Sequence, residues 1–274
     1  MIHRVALFLL AVPLAACDNE MSAGAEDAMP SDDVPVAAGS PDVSGAAAAA
    51  GGARSVSEEN EVWNFDYSYP AAAGQIPGLA ALLDQRLDTS LQELKGMAIE
   101  ARADADKSGF PFNAYAESTS WKVVTDLPRW LSLSGEIYSY TGGAHGNSGF
   151  DTLLWDREED KARKPEELFT SLAALEAAMR EDYCEMLDRQ RAEKRGEPVV
   201  EGSDGLFDEC PGFGDLTIIL GSSNNRTFDR VGFLAAPYVA GPYAEGSYEV
   251  TLPVNRAANA AVKPEFDAAF TAAK

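Results

Sequence analysis

The densest chemistry in the chain lies in Tyr140-Thr141-Gly142-Gly143-Ala144-His145-Gly146-Asn147. Three glycines and an asparagine within six residues suit a backbone that must adopt positive φ, as a tight hairpin requires. Two readings follow. The stretch is a ligand loop, in which exposed amides from Thr141 to Asn147 and the His145 imidazole meet an anion or a sugar oxygen. Alternatively it is a structural turn whose histidine satisfies backbone groups. His145 is the only histidine beyond position 3, which narrows the enzyme classes. A zinc site would need Asp151 or Asp156 as partners, and neither spacing follows a ligand pattern. A serine hydrolase would need G-x-S-x-G, and the nearest fragment, Gly221-Ser222-Ser223, does not match. The phosphate-binding pattern GxxxxGK[ST] is absent. With 44 Asp and Glu in the chain, a pair of carboxylates chosen from sequence carries little information. No catalytic residue, metal ligand or cofactor is expected, and an enzyme acting on cell-wall glycan or its esters would depend on His145.

The cysteines point to a compartment. His3 and Arg4 precede an apolar run from Val5 to Val12, followed by Leu14-Ala15-Ala16-Cys17. That is a signal-peptide layout over residues 1–16, and the run is too short to span a membrane. The small pair before Cys17 resembles the lipobox of bacterial lipoproteins, so Cys17 is expected to carry acyl chains, palmitate among them, that attach the chain to the periplasmic face of an envelope membrane. Cys184 and Cys210 then form an even pair in an oxidising compartment and read as a disulfide. Closing that loop of about 26 residues stabilises the fold by about 3.5 kcal/mol in the chain-entropy model.

Residues 17–55 are poor in aromatics and rich in Ala, Gly, Ser, Pro, Asp and Glu, and are expected to be a disordered tether with a reach of roughly 35 Å. The formal charge is −22. Charge of that sign excludes binding to nucleic acid or anionic headgroups by bulk electrostatics, and suits either a solvated surface or a basic protein partner.

Beyond the tether, about 220 residues are enough for one sizeable core or two small ones. Trp63–Tyr67 alternates as a strand. Leu79, Leu82, Leu83, Leu87, Leu91, Leu94 and Ala98 mark one face of a long helix. Strands are expected at 121–125, 130–140 and 148–156, the last two joined by the glycine-rich turn. Leu168, Leu172, Leu175, Met179, Tyr183 and Leu187 mark a second long helix carrying Cys184, followed by strands at 216–220, 231–235 and 247–254. Phe266 and Phe270 suggest a short terminal helix. Runs of strands interrupted by two long helices imply an α+β fold with largely antiparallel sheet.

Three segments carry a family resemblance: Tyr140–Asn147, Lys164-Pro165-Glu166-Glu167-Leu168-Phe169, and Pro237-Tyr238-Val239-Ala240-Gly241-Pro242-Tyr243-Ala244-Glu245-Gly246. Together they resemble the envelope domain shared by the lysozyme-sensing anti-sigma factor RsiV and the N-terminal region of the peptidoglycan deacetylase PdaC, over roughly Val56 to Val254. The resemblance implies two packed subdomains, an N-terminal one at 56–135 and an RsiV-like one at 136–274, with no catalytic centre in this region. No segment resembles a sigma-binding, membrane-spanning or deacetylase unit, so neither signalling by proteolysis nor sugar deacetylation is expected. What carries over is binding, of a lysozyme-like protein or of peptidoglycan, through the loop of Thr141, Gly142, Gly143, His145, Gly146 and Asn147. Tyr238 and Tyr243 read either as part of that surface or as ordinary packing.

Overall fold

The computed structural model describes residues 51–199 and 205–273, all within one compact unit. The leader, Cys17 and the tether up to residue 50 lie outside the described residues. Strand β1 (Arg54–Glu59) begins inside the expected tether and pairs antiparallel with β2 (Trp63–Tyr69). Its sequence, Arg-Ser-Val-Ser-Glu-Glu, has one apolar residue and no readable alternation, so the pairing with β2 makes it a strand. The Asn60 side chain closes the turn by accepting from the amides of Val62 (2.8 Å) and Trp63 (3.1 Å).

A short helix α1 (Ala71–Gly74) and a long one, α2 (Pro77–Ser108), then cross to β3 (Tyr115–Asp126), which lies parallel to β2. Parallel neighbours require such a crossover. Pro77 at the first turn and Gly109 in the left-handed conformation (φ 70°) set the limits of α2. Of the expected stripe, Leu79, Leu83, Leu87, Leu91, Leu94 and Ala98 are buried and Leu82 is half-buried. Strands β4 (Trp130–Tyr140), β5 (Asn147–Asp156) and β6 (Lys161–Arg163) complete a six-stranded sheet in sequence order. Helix α3 (Leu172–Arg195) leads to an antiparallel three-stranded sheet of β7 (Thr217–Gly221), β8 (Arg230–Ala235) and β9 (Tyr248–Pro253), followed by α4 (Arg256–Ala260). The fold is α+β, and every strand pair except β2–β3 is antiparallel.

Further details differ from the sequence expectation, among them Leu168, which lies in a 3-10 turn (Pro165–Leu168) ahead of α3 rather than on its face. The boundary expected between residues 135 and 136 falls inside β4, whose ladder with β3 and β5 is continuous there. The terminal helix is a 3-10 turn (Pro264–Ala269), and Phe270 leaves it to form a bridge with Phe228. Both Phe266 and Phe270 are buried, so the i, i+4 pair reported packing rather than a helix.

The six-stranded sheet is the wall between two cores. Leu153 and Trp155 join Leu131, Leu133 and the stripe of α2 on one face. Leu154, between them, joins Trp130 and the side chains of α3 and β7–β9 on the other. Each fully buried Leu or Phe contributes about 1.5–3 kcal/mol. At the end of β5 the Asp156 side chain is 0% exposed and is held by Arg129 (2.7 Å) and Arg163 (3.3 Å). Burial works to raise its pKa, but the hydrogen bonds and charge of Arg129, with the Glu158 amide and Arg163, outweigh it and hold the carboxyl below its ordinary value. Both guanidiniums also lie over the Phe266 ring.

A depressed folded pKa means that the contribution of Asp156 is present above the unfolded value, about 3.9, and is lost as pH falls through the folded value. Denaturant titrations between pH 7 and pH 2 should therefore show stability declining below about pH 4. Asp156→Asn should cost about 3 kcal/mol at neutral pH and make that decline shallower; an unchanged decline would assign the acid sensitivity to other carboxylates. Cys184 and Cys210 are bonded, with Cα atoms 5.7 Å apart. The double variant Cys184→Ala/Cys210→Ala should lose about 2–4 kcal/mol in urea unfolding, and a midpoint equal to the parent's would show that the bridge adds nothing to the fold.

Candidate functional site

The hairpin loop between β4 and β5 has the backbone its glycines suggested, with Gly142 at φ 88° and Gly143 at φ 101°. The Tyr140 hydroxyl donates to the Gly143 carbonyl (3.1 Å) and accepts from the Asn113 amide (3.3 Å). Gly146 is needed for a different reason: a Cβ there would run into the ring of Tyr138. Thr141 is exposed, and Asn147 is the first residue of β5, paired with Ser139. The backbone is thus a structural turn, but its histidine does more. His145 is exposed and stacks on Tyr243 (centroids 3.8 Å apart, planes 20° apart), with Tyr238 beside both rings. Its Nδ1 lies 2.9 Å from the Gly146 carbonyl. A carbonyl only accepts, so Nδ1 carries a hydrogen, which leaves Nε2 to accept from the Tyr238 hydroxyl at 3.4 Å in the neutral ring. The glycine-histidine and proline-tyrosine motifs, about 90 residues apart in sequence, meet in one aromatic clasp.

The tyrosine side of the clasp is held from below by α3. Its buried positions Leu175, Met179, Tyr183 and Leu187 recur every four residues, and the next step lands on Arg191, which is 0% exposed. The Arg191 guanidinium donates to the carbonyls of Ala240 (2.9 Å), Glu209 (2.9 Å) and Asp208 (3.2 Å) and pairs with Asp188 (3.0 Å). One turn on, Arg195 bridges Glu245 (2.9 Å) and Asp208 (2.8 Å). Burial works to raise the pKa of Glu245, but hydrogen bonds from Arg195 and Tyr248 prevail and hold it below its ordinary value. Tyr248 is pushed up to about 12 by burial and by that bond. This network fixes the segment carrying Tyr238 and Tyr243, in which Tyr238 adopts φ 72°, an uncommon conformation for a bulky residue.

Beside the clasp is a cleft of about 320 Å³ where the outer face of the large sheet meets the start of β9. Its sheet wall comes from alternate residues of three neighbouring strands: Ser118 and Ser120, Glu136 and Tyr138, Ser148 and Phe150. These are the positions opposite those that bury Trp121, Leu131, Leu133 and Leu153 against α2. Ser247 and Glu249 form the facing wall. Tyr138 links cleft and clasp, since its ring also lies against Gly146. None of these cleft residues was singled out from sequence. The period-2 alternation of β3–β5 was the available signal, because polar residues every second position mark the face away from the helix.

The third motif is structural. Pro165–Leu168 forms a 3-10 turn, Leu168 and Phe169 are buried in the second core, and the Lys263 amide donates to the Leu168 carbonyl (2.9 Å). A recess of about 420 Å³ between Arg129 and Lys263 is rich in cations, but Arg129, Lys161 and Arg163 are already paired with Asp156, Glu158 or Glu159. Asp151, considered as a metal partner of His145, pairs with Arg86 (2.9 Å). Among the described residues no group of three or more His, Cys, Asp or Glu is placed to hold a metal ion.

Residues 56–148, from β1 to the start of β5, match the family model described as Deacetylase PdaC. The chain is similar to a solved structure of a DUF3298 family member from Bacteroides fragilis, with 19% identity over 74% of this chain and 89% of that one and a TM-score of 0.47. It is also similar to a DUF3298 family protein from Pseudomonas aeruginosa, with 17% identity over 77% and 94% and a TM-score of 0.42. Both likenesses are distant. No curated protein sequence matches the chain.

A left-handed conformation costs a non-glycine residue about 1–2 kcal/mol. Tyr238→Gly should therefore be more stable than Tyr238→Ala by about 1 kcal/mol in urea unfolding, although glycine is the smaller residue. The reverse order would mean that the backbone at 238 relaxes once the ring is removed.

Proposed function

We propose that the chain is a non-catalytic glycan-binding module of the bacterial cell envelope, attached through acyl chains on Cys17, with the sugar held in the cleft between Tyr138 and Glu249. The observation that carries this reading is the lining of that cleft. Four serine hydroxyls, two carboxylates, one tyrosine and one phenylalanine border it. Hydroxyls both donate and accept, and carboxylates accept from sugar hydroxyls or amines. An aromatic ring offers an apolar face to sugar C–H groups. The envelope address is supported by Leu14-Ala15-Ala16-Cys17 and by the Cys184–Cys210 bridge, which suits an oxidising compartment.

The matching family model bears the name of a deacetylase; in this chain recognition is favoured over turnover. Both ring nitrogens of His145 are engaged, by the Gly146 carbonyl and by Tyr238, and its ring is stacked. That arrangement suits a side chain that positions a loop better than one that accepts a proton from substrate. A basic, lysozyme-like protein is the competing partner, favoured by the charge of −22.

Calorimetric titration of the chain with peptidoglycan fragments should show saturable binding with the fragments recovered intact. Tyr138→Ala should weaken it about tenfold, the loss of roughly one aromatic contact. New products that disappear in His145→Ala would overturn the binding reading in favour of an enzyme. Absence of fragment binding, together with lysozyme binding that persists at physiological salt, would assign the site to a protein partner. Lysozyme binding that fades with salt reports charge attraction alone.

A further inference from the structure

The cleft continues into a longer surface. On the outer face of the large sheet, side chains line up across four successive strand pairings. One row runs Ser55, Ser68, Ser120, Glu136 and Phe150, each opposite the next. A second row runs Ser57, Asp66, Ser118, Tyr138 and Ser148 in the same way. All ten positions are exposed or half-buried, from the β1 edge to the cleft. With strands about 4.8 Å apart, each row spans roughly 19 Å. The opposite face of the same strands carries Phe65, Tyr67, Trp121, Leu131 and Leu133, so the two faces differ sharply in character.

A sheet face turned to water needs no ligand to explain its polarity, but here most of the polar groups are short hydroxyls aligned in register rather than long charged side chains. The two rows hold six serines, two carboxylates and two aromatics, and Lys122, two residues beyond Ser120 on the same face, pairs with Glu136 (2.6 Å). Short serine side chains keep the floor low, and the aromatics stand only at the cleft end.

We infer that this face is an extended track for a linear polymer of neutral or amino sugars, entering the cleft at one end and reaching β1 at the other. The inference rests on the glycan reading above and extends it from one sugar to a chain. Rows of hydroxyls match a polymer whose units repeat hydroxyl groups along its length. Asp66 accepts hydrogen bonds from hydroxyl or amino groups and repels phosphate and uronate chains, whereas Glu136 is already paired with Lys122. An extended peptide adds to a sheet through the backbone groups of an edge strand, whereas these rows lie on the face.

The test is calorimetry of the full chain with chito-oligosaccharides of increasing length, N-acetylated and de-N-acetylated, and with an oligogalacturonate of matched length. Affinity should rise about tenfold or more from the shortest sugar to the length that fills the track, then level off, and the oligogalacturonate should bind least. Ser57→Arg and Asp66→Arg, both at exposed positions away from the cleft, should return long chains to the affinity of short ones and leave short ones unchanged. Short sugars that bind with no gain in length, or long-chain affinity unmoved by both variants, would overturn the track and leave the cleft reading intact. Stronger binding of the oligogalacturonate would overturn the charge assignment. No binding of any sugar would overturn the track and the glycan reading together.

Discussion

A guanidinium sits where the hydrophobic stripe of α3 requires an apolar side chain. Leu175, Met179, Tyr183 and Leu187 pack into the second core, and Arg191 follows them at the same spacing, fully buried. Desolvating a charge of that kind costs several kcal/mol unless its donors are satisfied. Here Asp188 of the same helix accepts, together with three backbone carbonyls from two segments that have no regular structure to hold them otherwise. One segment ends at Cys210, which is bonded back to α3; the other carries Tyr238 and Tyr243. The buried charge therefore works as a clamp. Its requirement for acceptors fixes two loops, and the position of the tyrosines follows from one of them.

Those tyrosines meet the β4–β5 loop at the surface and join the two halves of the molecule there, as the shared sheet joins them within. Leu154 belongs to one core and its neighbours Leu153 and Trp155 to the other, so neither half has a complete hydrophobic face alone. At the rim the His145 ring stacks on Tyr243, an aromatic contact worth about 0.5–1.5 kcal/mol. The cleft opens beside this contact because the sheet's outer face is covered by β7–β9 only towards Leu154. Towards Tyr138 it is left to Ser247 and Glu249.

Much of the frame was legible in the sequence. The α2 stripe, the second long helix and the β4–β5 hairpin follow from periods of 3.6 and 2 and from glycines that tolerate positive φ. The disulfide follows from an even pair of cysteines. What was not legible depends on pairing between distant segments. β1 has no pattern of its own and becomes a strand against β2. Arg191 was invisible because an arginine on a helix reads as solvated; only its place at the next step of the stripe marks it. The turn between β4 and β5 follows from its glycines, but its partner tyrosines, 93 residues away in the case of Tyr238, and the serine-lined cleft depend on which sheet faces meet. The serines are ordinary singly and become informative once the register aligns them.

On the proposed reading, ligand binds on the outer face of the large sheet, in the cleft beside Tyr138. A crystal structure of the chain grown with a chito-oligosaccharide tests it most directly. Sugar density is expected between Tyr138 and Glu249, with hydroxyls in contact with Ser118, Ser120 or Ser148. Ordered sugar elsewhere, such as the charged recess between Arg129 and Lys263, with the outer face left to water, would contradict it.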